Sequence, residues 1–73
     1  MGAPKRLTDQ QMKFAHELVS NEGRITATEA ALRAGYGEEG ARARASELQN
    51  PKKYPLVVQY MGSLREEYQK KYA

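Results

Sequence analysis

The amino-acid sequence predicts a small all-α domain of three to four helices. Apolar residues recur at three- and four-residue spacing, a threonine-based helix start occurs twice, and no segment alternates apolar and polar residues as a half-buried strand does. With 73 residues the chain can form one domain around a thin core. It contains no cysteine, so helix packing must stabilise it without disulfides or a thiolate zinc site.

The first helix is predicted to begin near Asp9. Thr8 can cap it, and Gln11 can return the second hydrogen bond of a capping box. Apolar residues then recur on one face until the polar segment 20–23; they are Met12, Ala15, Leu18 and Val19. The helix is therefore expected to be eleven or twelve residues long.

A similar start predicts the second helix, with Thr26 as the cap and Glu29 closing the box. This helix is expected to run to Ala34, because Gly35 can take the left-handed conformation that ends a helix. After a tight turn over residues 35–37, strong helix formers predict a third helix from roughly Glu38 to Gln49.

A fourth helix is predicted from about Pro55, after the break at Asn50-Pro51. Its apolar stripe consists of Val57, Tyr60, Met61, Leu64, Tyr68 and Tyr72. We favour packing of this helix in the core. The start of an oligomerising helix is the alternative, but a stripe of one or two heptads is too short to predict a coiled coil.

The charge balance permits a polyanionic partner. Twelve Lys and Arg residues against nine Asp and Glu residues give a formal charge of +3, and the sequence pI is about 9.3. Neither a signal peptide nor an apolar run of about eighteen residues is present, so we expect a soluble intracellular protein with no membrane partner.

The second and third predicted helices, with their short glycine turn, are typical of a helix-turn-helix DNA reader. On the third helix, Ala41, Ala45 and Leu48 share one side and are expected to face inward. The outward side would enter the major groove; it carries Glu39, Arg42, Ala43, Ser46 and Glu47. Alanine-rich helix pairs also occur in interaction domains, so the pattern alone leaves both functions open.

Arg42 is the best candidate for a base contact, because a guanidinium can bond guanine bidentately. Ala43 can touch a thymine methyl group. Ser46 is short and can contact more than one kind of base edge. Arg44 is better placed for phosphate. Other cations at helix ends and in loops are candidate phosphate contacts; they are Lys5, Arg6, Arg33, Lys52 and Lys53.

Acidic residues on or near the same face weaken any prediction of its specificity. Glu38, Glu39 and Glu47 would repel phosphate unless they select cytosine or restrain the register.

Enzymatic activity has little support in the sequence. It has no phosphate-binding loop and no Ser, His and acid set in a recognisable motif. His16 is the only histidine, and without cysteine it cannot form an ordinary metal site. We therefore expect no catalytic residue, no metal and no cofactor.

Three segments together resemble the N-terminal domain of phage terminase small subunits. They are residues 7–14 (LTDQQMKF), 27–36 (ATEAALRAGY) and 46–52 (SELQNPK). The run Ala-Ala-Leu-Arg-Ala-Gly-Tyr is the most specific piece. Two features depart from the family: Gly37 replaces a polar cap, and Lys53-Tyr54-Pro55 adds a break before the last helix.

The resemblance implies a non-enzymatic protein that recognises double-stranded viral DNA for packaging in the host cell cytoplasm. It also implies assembly into a homo-oligomeric ring through a downstream segment, and support of the terminase large subunit, which carries the ATPase and nuclease. DNA contact then falls chiefly on Arg33, Arg42 and Arg44. In that fold, Tyr36 is expected to bury its ring against the first helix.

The chain is thus expected to comprise a flexible basic arm over residues 1–6 and a helix-turn-helix domain over residues 7–73. The last helix would lead to an oligomerisation region beyond this sequence, unless the chain is a short member of the family. A dimeric transcriptional regulator is one alternative. Another is an interaction adaptor that docks the large subunit through the first or fourth helix.

Overall fold

A computed structural model describes residues 7–72. They form four helices in chain order, namely α1 (Asp9–Ser20), α2 (Ala27–Arg33), α3 (Glu38–Leu48) and α4 (Pro55–Tyr72). Within this range there is no strand, which confirms the predicted all-α class. The predicted basic arm, with Lys5 and Arg6, lies outside the described residues.

A complete capping box starts α1. Thr8 has an extended backbone (φ −86°, ψ 160°), and its hydroxyl accepts a hydrogen bond from the Gln11 backbone N–H at 3.1 Å. The Thr8 backbone N–H donates in return to Oε1 of Gln11, also at 3.1 Å. Two amides that a helix start leaves without partners are thereby satisfied, as the sequence predicted.

The start of α2 is only half a capping box. The Thr26 hydroxyl accepts from the Glu29 backbone N–H at 3.1 Å, but the prediction that Glu29 closes the box is wrong. Its carboxylate instead lies 3.7 Å from the Arg33 guanidinium, one helical turn further on. The i,i+4 ion pair therefore takes the side chain that a capping box would use.

A Schellman motif ends α2. Gly35 has φ +99°, and its N–H donates to the Leu32 carbonyl at 3.0 Å. The Tyr36 N–H reaches back to the Ala31 carbonyl, also at 3.0 Å. Helix α2 ends at Arg33 with Ala34 as its cap, one residue before the predicted end, and the role predicted for Gly35 is confirmed.

Helix α3 begins without a side-chain cap, because Gly37 occupies that position. Glu38 and Glu39 in its first turn compensate the positive end of the helix dipole. The helix ends at Leu48, and Gln49 is the cap rather than the last residue.

An Asx turn leads from α3 to α4. The Asn50 side chain accepts from the Lys52 backbone N–H at 2.9 Å, and the Asn50 carbonyl accepts from the N–H groups of Lys53 and Tyr54. These hydrogen bonds reverse the chain within a few residues. Helix α4 then starts at Pro55, as predicted.

The core is thin and rich in alanine. Helix α1 packs against α2 and α4, and α3 packs mainly against α2. The buried residues are Phe14, Ala15, Leu18, Val19, Ala30, Ala31, Ala34, Ala41, Ala45, Leu48, Val57, Met61 and Leu64. Helix α4 contributes three of them, so the preference for core packing of this helix is confirmed over that part of its length. None of the helices described is both long and apolar enough to span a membrane.

Candidate nucleic-acid interface

The orientation of α3 agrees with the sequence prediction. Ala41, Ala45 and Leu48 are buried against the rest of the domain. Four of the five residues predicted to face outward are exposed, namely Glu39, Arg42, Ala43 and Ser46. The fifth, Glu47, is half-buried, because it lies at the edge of the exposed side.

Arg42 occupies the middle of this exposed face. Its side chain is exposed, and no carboxylate of residues 7–72 forms an ion pair with it. Ser46 lies one helical turn further along the same side, with Ala43 beside it. A partner approaching this face therefore meets an unpaired guanidinium between two small side chains.

Arg44 points toward the turn between α3 and α4. One terminal guanidinium nitrogen lies 3.3 Å from a carboxylate oxygen of Glu47 and donates to the Tyr54 hydroxyl, also at 3.3 Å. The Lys53 ammonium lies 3.3 Å from the other oxygen of the same carboxylate. We call Arg44, Glu47, Lys53 and Tyr54 the Glu47 cluster.

Two residues of the Glu47 cluster affect the pKa of Tyr36. Burial raises the pKa of Tyr36 above its ordinary value of 10.0, while the Arg44 guanidinium acts in the opposite direction and Tyr54 raises it further. The tyrosine is half-buried against the core. Its hydroxyl therefore lies within electrostatic reach of α3 and the α3–α4 turn. No described contact assigns its ring to α1, so that expectation stays a prediction.

Arg33 lies in a different electrostatic setting. Its guanidinium is 3.4 Å from the Glu17 carboxylate on α1 and 3.7 Å from that of Glu29 on α2. Two acidic side chains thus surround one cation, which ties α2 to α1. A phosphate would have to compete with both carboxylates for Arg33.

The predicted contact residues accordingly fall into three groups. Arg42, Ala43 and Ser46 share the exposed face of α3. Arg44 and Lys53 meet in the Glu47 cluster, while the exposed Lys52 follows in the same turn. Arg33 lies apart on the α1 side, and Lys5 and Arg6 are outside the described range.

Two features of this surface were not predicted. The i,i+3 spacing of Arg44 and Glu47 was visible in the sequence and could have indicated their ion pair. The contact of Arg44 with Tyr54 spans ten residues and a chain reversal, so helical periodicity could not indicate it.

No metal site emerges from residues 7–72. They bring no three metal-ligating side chains together. A shallow pocket of about 220 Å³ lies between α1 and α4, lined by His16, Leu64, Glu67, Tyr68 and Lys71. A second and more open pocket of about 440 Å³ is lined by Glu67, Lys70 and Lys71 of α4. Both pockets are open to solvent, unlike the concave sites that bury most of a small ligand.

Together these features define a small all-α domain that presents a polar helix face. A family model described as terminase small subunit matches residues 7–72. The chain therefore belongs to the terminase small subunit family, which confirms the resemblance in its sequence and indicates a role in DNA packaging. Members of this family are typically non-catalytic. No curated protein and no solved structure shows a significant match to the chain.

Proposed function

We propose that this chain recognises double-stranded viral DNA for packaging and that α2, the Gly35 turn and α3 act as a helix-turn-helix motif. The observation that carries the proposal is the exposed guanidinium of Arg42, which pairs with no carboxylate of residues 7–72 and lies on a helix whose opposite side is buried. An α-helix fits the major groove of B-DNA, and such a helix places its exposed side chains at the base edges.

Within the groove, each of three residues has a distinct role. Arg42 donates bidentately to O6 and N7 of a guanine, because no side chain of residues 7–72 holds its guanidinium away from a planar acceptor pair. The Ala43 methyl group contacts a thymine methyl. The Ser46 hydroxyl donates or accepts according to the base, so it adds affinity with little discrimination.

Phosphate contacts flank the groove. Lys52 in the α3–α4 turn is exposed, and no carboxylate of the described residues pairs with it, so it can neutralise a phosphate directly. Arg44 and Lys53 first exchange the Glu47 carboxylate for phosphate. Arg33 contributes least, because two carboxylates surround it. Lys5 and Arg6 complete the proposed set of backbone contacts.

The acidic start of α3 restrains this binding. Glu38 and Glu39 are both exposed in its first turn. Carboxylates there stabilise the helix but repel a phosphate at the same end. We therefore propose weak binding by a single domain. A homo-oligomeric ring would multiply the contacts and supply avidity, and it would present the DNA to the large subunit in the host cytoplasm.

Fluorescence anisotropy with labelled duplexes tests the proposal. A duplex selected from a randomised pool is titrated at several salt concentrations with the parent chain and with Arg42→Ala plus Arg44→Ala. The matched control is Lys70→Ala plus Lys71→Ala, which removes the same charge from the exposed last turn of α4.

We expect salt-sensitive binding that the α3 substitutions weaken at least tenfold, since one lost bidentate base contact costs about 1–3 kcal/mol. The α4 control should change affinity far less. Equal losses for the two double variants would show only a net-charge effect. No binding by the parent chain at low salt would contradict DNA recognition by this domain.

An interaction adaptor is the second candidate, favoured by the shallow pocket between α1 and α4. Its lining residues come from the two helices expected to dock the large subunit under that hypothesis. Lys71→Glu would then weaken capture of the purified large subunit and leave DNA affinity nearly unchanged. Arg42→Ala plus Arg44→Ala would leave capture intact.

A further inference from the structure

We propose that Arg44 and Lys53 form a single phosphate-binding site and that Glu47 is its internal counterion, which a DNA phosphate displaces. This inference rests on the proposed function and adds that Glu47 lowers the affinity for DNA. Arg44 and Lys53 were each predicted to contact phosphate. That prediction did not require the two cations to act together or an acidic residue to regulate them.

The geometry of the ion pairs supports one shared site. The carboxylate of Glu47 offers one oxygen to Arg44 and the other to Lys53, and both nitrogen–oxygen distances are 3.3 Å. The two cationic groups therefore converge on a single two-oxygen acceptor. A phosphate diester also presents two unesterified oxygens, so it can take the place of the carboxylate between the same two cations.

Tyr54 keeps part of this arrangement in place when Glu47 leaves. Its hydroxyl accepts a hydrogen bond from Arg44, and the residue is half-buried against the core. Its backbone carbonyl accepts from the Val58 N–H at 3.2 Å in the first turn of α4. The guanidinium thus retains a partner anchored to the core, and it loses less side-chain freedom when phosphate binds.

The carboxylate is easily displaced because the ion pairs are exposed. The side chains of Arg44, Glu47 and Lys53 retain 46%, 37% and 58% of their exposure. Such pairs contribute little to stability, since water and salt screen them. A phosphate that is part of a duplex has the added attraction of its neighbouring charges.

The charge balance distinguishes this cluster from that around Arg33. In the Glu47 cluster, two cations share one carboxylate, so the cluster carries a net positive charge. Around Arg33, one cation faces the two carboxylates of Glu17 and Glu29, so that cluster is net negative. Of the two ion-pair clusters, only the Glu47 cluster attracts a polyanion before any internal pair has opened.

Glu47→Gln tests the inference. The substitution keeps the shape of the side chain and removes its charge. Glu66→Gln on α4 is the matched control, because it changes the net charge equally at an exposed residue outside the cluster. Binding of both variants to one labelled duplex is measured by anisotropy at low salt, after circular dichroism has verified equal helix content.

We expect Glu47→Gln to bind duplex about three- to tenfold more tightly than Glu66→Gln, because two exposed ion pairs no longer have to open. In a background of Arg44→Ala plus Lys53→Ala, this advantage should disappear. Equal affinities of the two glutamine variants, weaker binding by Glu47→Gln, or an advantage that persists in that background would each overturn the inference.

The outcomes also separate this inference from the proposed function. If the parent chain binds duplex and the two glutamine variants bind alike, the inference fails and DNA recognition stands. If neither the parent chain nor Glu47→Gln binds at low salt, both fail.

Discussion

The hydroxyl of Tyr60 on α4 lies 2.8 Å from Nε2 of His16 on α1. The two rings also meet edge-on, with centroids 5.6 Å apart and planes inclined by 73°. These residues are 44 positions apart in the sequence. One polar contact at the domain surface thus joins the first helix to the last, above the apolar contacts of the α1–α4 interface.

Tyr60→Phe should lower the free energy of unfolding by about 0.5–1.5 kcal/mol, because it removes the hydrogen bond and keeps the ring contact. Urea unfolding followed by circular dichroism measures this loss. In a His16→Ala background the same substitution should cost nothing. An undiminished cost there would show that the His16–Tyr60 hydrogen bond is not its cause.

Alanine substitutions at two glycines should change the stability of the domain in opposite directions. Gly35 has φ +99°, and a Cβ there would lie 3.4 Å from Nε2 of Gln10. Gly35→Ala should therefore destabilise the domain by about 1–2 kcal/mol. Gly40, in helical conformation on α3, has no atom within 4 Å of an added Cβ, so Gly40→Ala should stabilise it by about 0.5–1 kcal/mol. Thermal unfolding of both variants tests the contrast, and shifts of the same sign would contradict it.

Leu48→Ala should destabilise the domain by about 2–5 kcal/mol, because Leu48 is one of the largest fully buried side chains and its loss leaves a cavity. A domain of this size has a total stability of roughly 4–11 kcal/mol, so the variant should unfold at much lower urea concentration. Leu32→Ala is the control. Leu32 is 38% exposed, and its truncation should cost far less. A similar midpoint for the two variants would mean that Leu48 does not support the core.

Tyr36 should make stability depend on alkaline pH. Its pKa is raised in the folded state, mainly by burial. The folded chain therefore holds the phenolic proton more tightly than the unfolded chain. The stability that Tyr36 contributes through this proton is fully present below pH 10, the ordinary pKa of tyrosine, and is lost as the pH rises through the folded-state pKa of Tyr36.

The measurement compares Tyr36→Phe with the parent chain in urea unfolding between about pH 8 and pH 11. The variant cannot ionise at this position, so its stability should fall less steeply in the upper part of that range. Parallel curves would contradict a raised Tyr36 pKa.

The features predicted well from sequence are those set by neighbouring residues. The Thr8 capping box and the end of α2 at Gly35 depend on contacts within a few positions. The alanines of α3 face inward because helical periodicity determines which residues share one side of a helix. The ends of α2 and α3 each differ by one residue from their predicted positions, which is the usual uncertainty of a fraying last turn.

Most of the features missed depend on contacts between distant segments. The ion pair of Arg33 with Glu17 was not predicted, because Glu17 lies 16 residues earlier in the sequence and becomes a neighbour only when α1 packs on α2. The link between His16 and Tyr60 has the same origin. Glu29 does not complete the capping box at Thr26, because the ion pair with Arg33 competes with the capping hydrogen bond for the same carboxylate. Helix propensity alone does not show which of the two interactions is stronger.

The alanine-rich contact between α2 and α3 has a consequence for how this surface can change. An alanine side chain has no rotamers to choose among, so the distance between the two helices is set by their backbones and methyl groups. Substitutions at the outward positions of α3, such as 42, 43 and 46, therefore need no repacking beneath them. A library randomised at these three positions should retain the fold while it samples new binding preferences, so a change of partner is separable from a loss of structure.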